Sequence, residues 1–140
     1  AHRRQRQMCI RDRMNGDEIL DAAVNPPLLE QALINLVENA IKYSDPKSLV
    51  TLSLEKQADK FIIGVKDQGF GIEAMHLERI FERFYRIDVA RSRKLGGTGL
   101  GLSIVKHIIQ AHQGTVSVNS TPGEGSTFLI KIPFIEMNPI

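Results

Sequence analysis

Apolar residues recur along this chain at two periods, and the periods divide it into helices and strands. Between Pro26 and about Tyr43, Leu29, Leu33, Leu36, Val37 and Ala40 fall on one face at about 100° per residue, and Ile34 and Ile41 widen that face. Asn25 is placed to cap this helix, Pro26 and Pro27 suit its first turn, and Ser44-Asp45-Pro46 closes it. Leu49 to Lys56 and Phe61 to Lys66 alternate as two strands about a polar turn, an antiparallel hairpin. Glu73 to Ile80 reads as a short helix. Leu100 to His112 reads as a longer one, packed on the sheet through Ile104, Val105, Ile108 and Ala111 and stopped by Gly114. Thr115 to Ser120 and Ser126 to Phe134 alternate again about the turn Thr121-Pro122-Gly123-Glu124-Gly125, and Glu18 to Val24 suggests an edge strand. No internal repeat interrupts this order.

At 140 residues and 42% apolar content the chain suits one domain with one core, expected over residues 14–135 and followed by a short tail, 136–140. No apolar run is long enough to cross a membrane, so membrane contact by this chain is not expected. The formal charge of +2 misleads, because five arginines (3, 4, 6, 11 and 13) against Asp12 contribute +4 and leave the rest at −2. A nucleic-acid surface needs its basic charge on the folded face, so that class is set aside. The same leader, residues 1–13, is expected to be disordered. Its Met8-Cys9-Ile10-Arg11-Asp12-Arg13 resembles translated sequencing-adaptor DNA, which puts the natural start near Met14. Cys9 is the single cysteine, so no internal disulfide or thiolate cluster forms, and a reducing, cytoplasmic setting fits. His107 and His112 read as helix-surface residues without metal partners.

Four local patterns carry candidate chemistry. The polar stripe of the first helix holds Gln31, Asn35, Glu38, Asn39 and Lys42, with Asn35 and Asn39 one turn apart and Lys42 three residues on. An amide oxygen suits Mg²⁺ and an ammonium suits phosphate, although the same stripe is also what the wet side of any amphipathic helix looks like. Asp67-Gln68-Gly69-Phe70-Gly71-Ile72 places a carboxylate at a strand end beside two glycines, either to accept from an exocyclic amine or as a plain turn. Phe81-Glu82-Arg83-Phe84-Tyr85-Arg86 gathers three aromatics, as core or as the hinge of a polar flap from Arg86 to Lys94. Gly96-Gly97-Thr98-Gly99-Leu100-Gly101-Leu102 opens a helix, where backbone amides can cradle phosphate. It is neither a Walker A loop nor a dinucleotide fingerprint, and alone it is also an ordinary glycine-rich loop.

In this succession the four patterns resemble the ATP-binding catalytic domain of sensor histidine kinases, in the wider family of gyrase-type and Hsp90-type ATPases. The resemblance covers roughly Asp17 to Pro133. It implies an α/β two-layer sandwich, a mixed, mostly antiparallel sheet with helices on one face (the Bergerat fold), and ATP with Mg²⁺ as ligands. Asn35 to Tyr43 looks like the N box, implying that Asn39 holds Mg²⁺, Asn35 supports the phosphate and metal region, Lys42 meets phosphate and Tyr43 packs at the nucleotide. Asp67 to Gly71 looks like the G1 box, with Asp67 reading the adenine amino group and Gly69, Gly71 and Ile72 lining the nucleotide. Phe81 to Arg86 looks like the F box, with Phe84 beside the nucleotide and Arg86 a phosphate contact. Gly97, Thr98, Gly99, Leu100, Gly101 and Leu102 look like the G2 box, whose amides meet the phosphates. Phe84-Tyr85-Arg86-Ile87-Asp88 and Arg91-Ser92-Arg93 most resemble membrane kinases of the phosphate-sensing type.

The resemblance implies γ-phosphoryl transfer to a histidine, a reaction that needs chiefly positioning and charge neutralisation. The histidine-bearing dimerisation helix of the family does not appear in the sequence, and His2 lacks its context. The chain is thus expected to bind ATP without phosphorylating itself, to be monomeric, to work with the phosphoacceptor domain of a parent kinase and a response regulator receiver domain, and to lie on the cytoplasmic side of a membrane-bound kinase. Three rivals stand beside this reading: a self-contained ATPase, a serine kinase acting on a regulatory protein, and a non-catalytic nucleotide-binding module. The ATPase reading meets an obstacle, since the position for a water-activating carboxylate holds Asn35, and Glu38 lies about 100° around the helix from Asn39.

Overall fold

Asn25 starts the first helix in the manner its side chain allows: its backbone is extended and its Oδ1 accepts from the Leu28 amide at 3.3 Å. In the computed structural model, which describes residues 24–87 and 100–133, that helix is α1, Pro26–Lys42. It is followed by β1 (Val50–Lys56), β2 (Lys60–Asp67), α2 (Ala74–Leu77), α3 (Gly101–Ala111), β3 (Thr115–Thr121) and β4 (Gly125–Pro133). The expected leader, most of the strand expected from Glu18, the flap, and the tail fall outside the described residues. Val24, the last residue of that expected strand, is in no strand.

The four strands lie in the order β1-β2-β4-β3, and every pairing is antiparallel. The pairings among the described strands are the antiparallel ones expected of a mostly antiparallel sheet. Strand parity then selects the covered face. Leu54, Ile63, Ile130 and Val116 form one cross-strand row, and Leu52, Val65, Phe128 and Val118 the next. Both rows pack with α1 and α3, while Ser53, Gly64, Leu129 and Ser117 occupy the other face. Asp67 has the parity of Val65, so it arrives on the helix side at the very end of β2.

In α1 the buried row is Ala32, Leu36 and Ala40, flanked by the partly buried Leu29, Leu33, Val37 and Ile41. Ile34, expected to widen the apolar face, is instead 42% exposed, because it lies nearly opposite Leu36 around the helix. In α3 the buried residues are Val105, Ile108 and Ile109, whereas Ile104 and Ala111, both expected in the core, are exposed. The short helix expected from Glu73 to Ile80 shrinks to Ala74–Leu77. Glu73 makes no side-chain cap, four residues cannot sustain a helix, and tighter turns beyond Leu77 carry Ile80 into the core.

The end of α3 also differs from expectation. Gln113 takes the left-handed conformation (φ 60°), and the Gly114 and Gln113 amides donate to Ile109 and Gln110, completing a Schellman turn. Gly114 serves a different need: a Cβ there would sit 2.4 Å from the Lys131 carbonyl.

Candidate functional site

The arrangement around Asp67 begins with its burial, only 6% exposed. Its Oδ1 accepts from the Gly69 amide at 2.8 Å and the Ser126 amide at 3.2 Å, and Oδ2 takes no hydrogen bond from the described residues. Burial pushes the carboxyl above its ordinary value, and the two amide donors partly offset this. A buried carboxylate with one oxygen anchored and the other unpaired is a built acceptor.

The loop that follows is pressed between two elements. On one side it meets the end of α1: the Phe70 amide donates to the Tyr43 carbonyl at 3.3 Å, and a Cβ on Gly69 would lie 2.4 Å from that same oxygen. On the other it meets the β3–β4 turn, where the Gly123 amide donates to the Phe70 carbonyl at 2.7 Å. Gly71, at φ 73°, would place a Cβ 2.2 Å from the Thr121 carbonyl. The two glycines are thus required by the close approach of backbone from the end of α1 and from the β3–β4 hairpin. Ile72 packs on the core beyond it.

Along α1, Asn35 is already engaged. Its Oδ1 accepts from Gln31 Nε2 at 2.8 Å, and its Nδ2 donates to the Gly101 carbonyl at 3.4 Å, tying α1 to the opening of α3. Asn39, one turn on, makes no side-chain hydrogen bond among the described residues, and both it and Lys42 are partly buried. Tyr43 follows as the C-cap, half-buried. Leu100 and Gly101 open α3 as expected, and Leu102 packs on the core. Gly97, Thr98 and Gly99 lie outside the described residues.

The aromatic segment divides its labour. Phe81 meets Phe128 edge-on, with ring centroids 6.1 Å apart, and so belongs to the core. Tyr85 is held by His76 Nδ1 through its hydroxyl and by the Arg79 guanidinium, 4.6 Å over its ring. Phe84, 62% exposed and at φ 65°, stands out of the core beneath Arg83. Arg86, next to Tyr85, has a buried Nε with no hydrogen-bond partner among the described residues, an orphan donor of the kind an anionic ligand satisfies.

Two groups of residues escaped the sequence reading. Ser120 and Ser126 join the loop after Asp67 to the β3–β4 hairpin, with Ser120 Oγ 2.7 Å from the Ile72 amide and 2.8 Å from Ser126 Oγ. His112, read as a plain surface residue, bonds the Ile108 carbonyl through Nδ1 and the Asn25 amide through Nε2, at 2.8 and 2.9 Å. With Asn35 on Gly101, this fastens α3 antiparallel to α1 near both ends. Neither link leaves a sequence signature, since each joins positions tens of residues apart. Among the described residues no cluster of three or more His, Cys, Asp or Glu can hold a metal. The Asn39 amide oxygen is a hard donor of the kind that can contribute to a Mg²⁺ site. No described helix is long and apolar enough to span a membrane.

The model of the family described as histidine kinase-, DNA gyrase B-, and HSP90-like ATPase matches residues 24–136. The chain is 53% identical over 106 residues to the sensor-like histidine kinase SenX3 of Mycobacterium bovis, covering 76% of this chain but only 26% of that protein. It thus spans about a quarter of that relative's length. The catalytic domain of histidine kinase ThkA superposes with a TM-score of 0.74 at 29% identity, over 91% of this chain and 79% of that one. Full-length ShkA, solved in complex with AMPPNP, superposes with a TM-score of 0.67 at 32% identity, over 76% of this chain and 21% of that one.

Proposed function

Because the chain belongs to the histidine kinase-, DNA gyrase B-, and HSP90-like ATPase family, as an ATP-binding catalytic domain of the sensor histidine kinase kind, we propose that its site presents Mg²⁺·ATP to a histidine on another domain of a parent kinase. The observation that carries this reading is Asp67. Its Oδ2, without a hydrogen bond from the described residues, is set to accept from the adenine amino group, while the packed loop through Gly69 and Gly71 holds the carboxylate in place. Asn39 offers its amide oxygen to Mg²⁺, Lys42 and the orphan Nε of Arg86 neutralise phosphate charge, and the amides opening α3 complete the anion site. Tyr43, Ile72 and Phe84 pack at the base and ribose, and Gly97, Thr98 and Gly99 extend the phosphate cradle. Bound Mg²⁺ supplies neutralisation of the transferring phosphoryl group. The chain's own residues supply orientation.

The AMPPNP complex of ShkA supports this reading by analogy. The ATPase rival is disfavoured by Asn35: an amide already engaged with Gln31 and Gly101 cannot take a proton from water. In the same proposal the parent kinase is membrane-bound, of the phosphate-sensing type, with this domain in the cytoplasm and a response regulator as the final acceptor.

Calorimetric titration with AMPPNP, with and without Mg²⁺, tests the site. We expect Mg²⁺-dependent binding by the parent chain and loss of the Mg²⁺ dependence in Asn39→Ala, a substitution that a helix tolerates well. A folded parent chain that bound no AMPPNP would overturn the reading.

A further inference from the structure

We propose that Ser120, outside every motif of the nucleotide site, is a positioning residue that sets the adenine-reading carboxylate of Asp67; the inference rests on the nucleotide-binding reading of that site. Ser120 Oγ accepts from the Ile72 amide at 2.7 Å, lies 3.0 Å from the Gly125 carbonyl and lies 2.8 Å from Ser126 Oγ. A hydroxyl has one proton, and a carbonyl can only accept. The Ser120 proton therefore goes to Gly125, and Ser126 donates its own to Ser120. Every bonding capacity of the Ser120 hydroxyl is used.

Its three partners frame the adenine loop. Ile72 is where the loop leaves toward α2, and Gly125 begins β4 at φ 125° with a Cβ position 2.2 Å from the Asp67 carbonyl. Ser126 follows directly, and its amide is one of the two that anchor Asp67 Oδ1. One hydroxyl thus fixes both the exit of the loop and the strand residue that aims the carboxylate. Removing it deprives the Ile72 amide and the Gly125 carbonyl of a partner together, and the Ser126 amide, at 3.2 Å from Asp67, is the contact left to drift. The other attachments, Phe70 to Tyr43 and Gly123 to Phe70, hold the middle of the loop, and the strand pairs Val50–Asp67 and Ser120–Ser126 hold the backbone on either side; what the hydroxyl adds is the direct link between the exit of the loop and β4.

Adenine offers an amino group to Asp67 where guanine offers a carbonyl, so misplacing Oδ2 weakens adenine binding selectively. Titration of the whole chain with ADP and with GDP reads this directly. For Ser120→Ala we expect ADP affinity to fall about tenfold, GDP binding to stay as it was, and the ADP preference to shrink accordingly. Ser120→Thr, which keeps the hydroxyl, should restore the preference. Ser126→Ala, which keeps the anchoring amide but removes the donor to Ser120, should fall between. A purely structural role would lower the melting temperature and leave the ADP-to-GDP ratio of the folded protein unchanged, which overturns the proposal. Should Ser120→Ala not fold, the other two variants decide: an unchanged ratio in Ser126→Ala overturns it, and a reduced ratio beside a normal Ser120→Thr supports it. ADP binding by the parent chain with no effect of these variants defeats this inference alone, whereas no ADP binding by the folded parent chain defeats the nucleotide reading and this inference with it.

Discussion

Asp67, buried at the end of β2, is the residue that the proposed function places against adenine. Burial raises its carboxyl above the ordinary 3.8, so the folded chain holds this proton more tightly than the unfolded chain does. The contribution is therefore fully present below pH 3.8 and is lost as pH rises through the folded value. Asp67→Asn removes that loss. The asparagine Oδ1 can still accept from Gly69 and Ser126, but Nδ2 now meets the adenine amino group donor to donor. We expect Asp67→Asn to melt no lower than the parent at pH 7, with the difference narrowing as pH falls toward 4, and to bind AMPPNP more weakly by about 1.5–3 kcal/mol. Thermal unfolding across that pH range and one titration check both halves. A variant that melted well below the parent at pH 7 would assign Asp67 a stabilising role.

At the scale of elements, periodicity located α1, α3 and all four strands to within a residue or two, because each buries one face against the same core. What it missed has physical causes. The α2 region was overread as a helix, since its pattern is apolar at helical spacing, but the core pulls Ile80 and Phe81 inward through turns and the Arg79–Tyr85–His76 stack holds that path. The stop of α3 was placed on Gly114, the residue type that favours a left-handed cap, whereas the left-handed position is Gln113 and the glycine is needed for its lack of a side chain against Lys131. That misplacement has a measurable consequence. A non-glycine residue at φ 60° pays for a crowded Cβ, partly offset by the greater freedom glycine has when unfolded. Gln113→Gly is thus expected to stabilise the domain by about 0.5–1 kcal/mol, a rise of a few degrees in melting temperature. Gly114→Ala, by contrast, is expected to destabilise it by more than that gain, since its methyl has no room. Thermal melts of the two variants separate the roles that the sequence alone merges into one glycine.

For the whole molecule, the proposed function raises the question of which histidine would receive the phosphoryl group. The proposed site residues, Asn39, Lys42, Asp67 and Arg86, offer acceptors and cations but no nucleophile. The histidines of the described residues are placed for other work: His76 holds Tyr85, His112 joins Ile108 to Asn25, and His107 lies exposed on α3. Phosphoryl transfer demands an in-line approach of nucleophile to the γ-phosphorus, which a histidine engaged elsewhere in the fold cannot make. The two ends of α3 are fastened to the start and the middle of α1, a frame from which the proposed ligand would be presented to a second domain. Incubated with γ-labelled ATP and Mg²⁺, the chain alone is therefore expected to stay unlabelled. Adding the dimerisation domain of a related sensor kinase should place the label on that domain's histidine, with the acid lability of a phosphoramidate, and Asp67→Asn should slow the transfer at low ATP and be rescued by raising ATP. Label on the chain itself, at His2 or any other residue, would show a nucleophile within reach of the site and remove the need for a second domain.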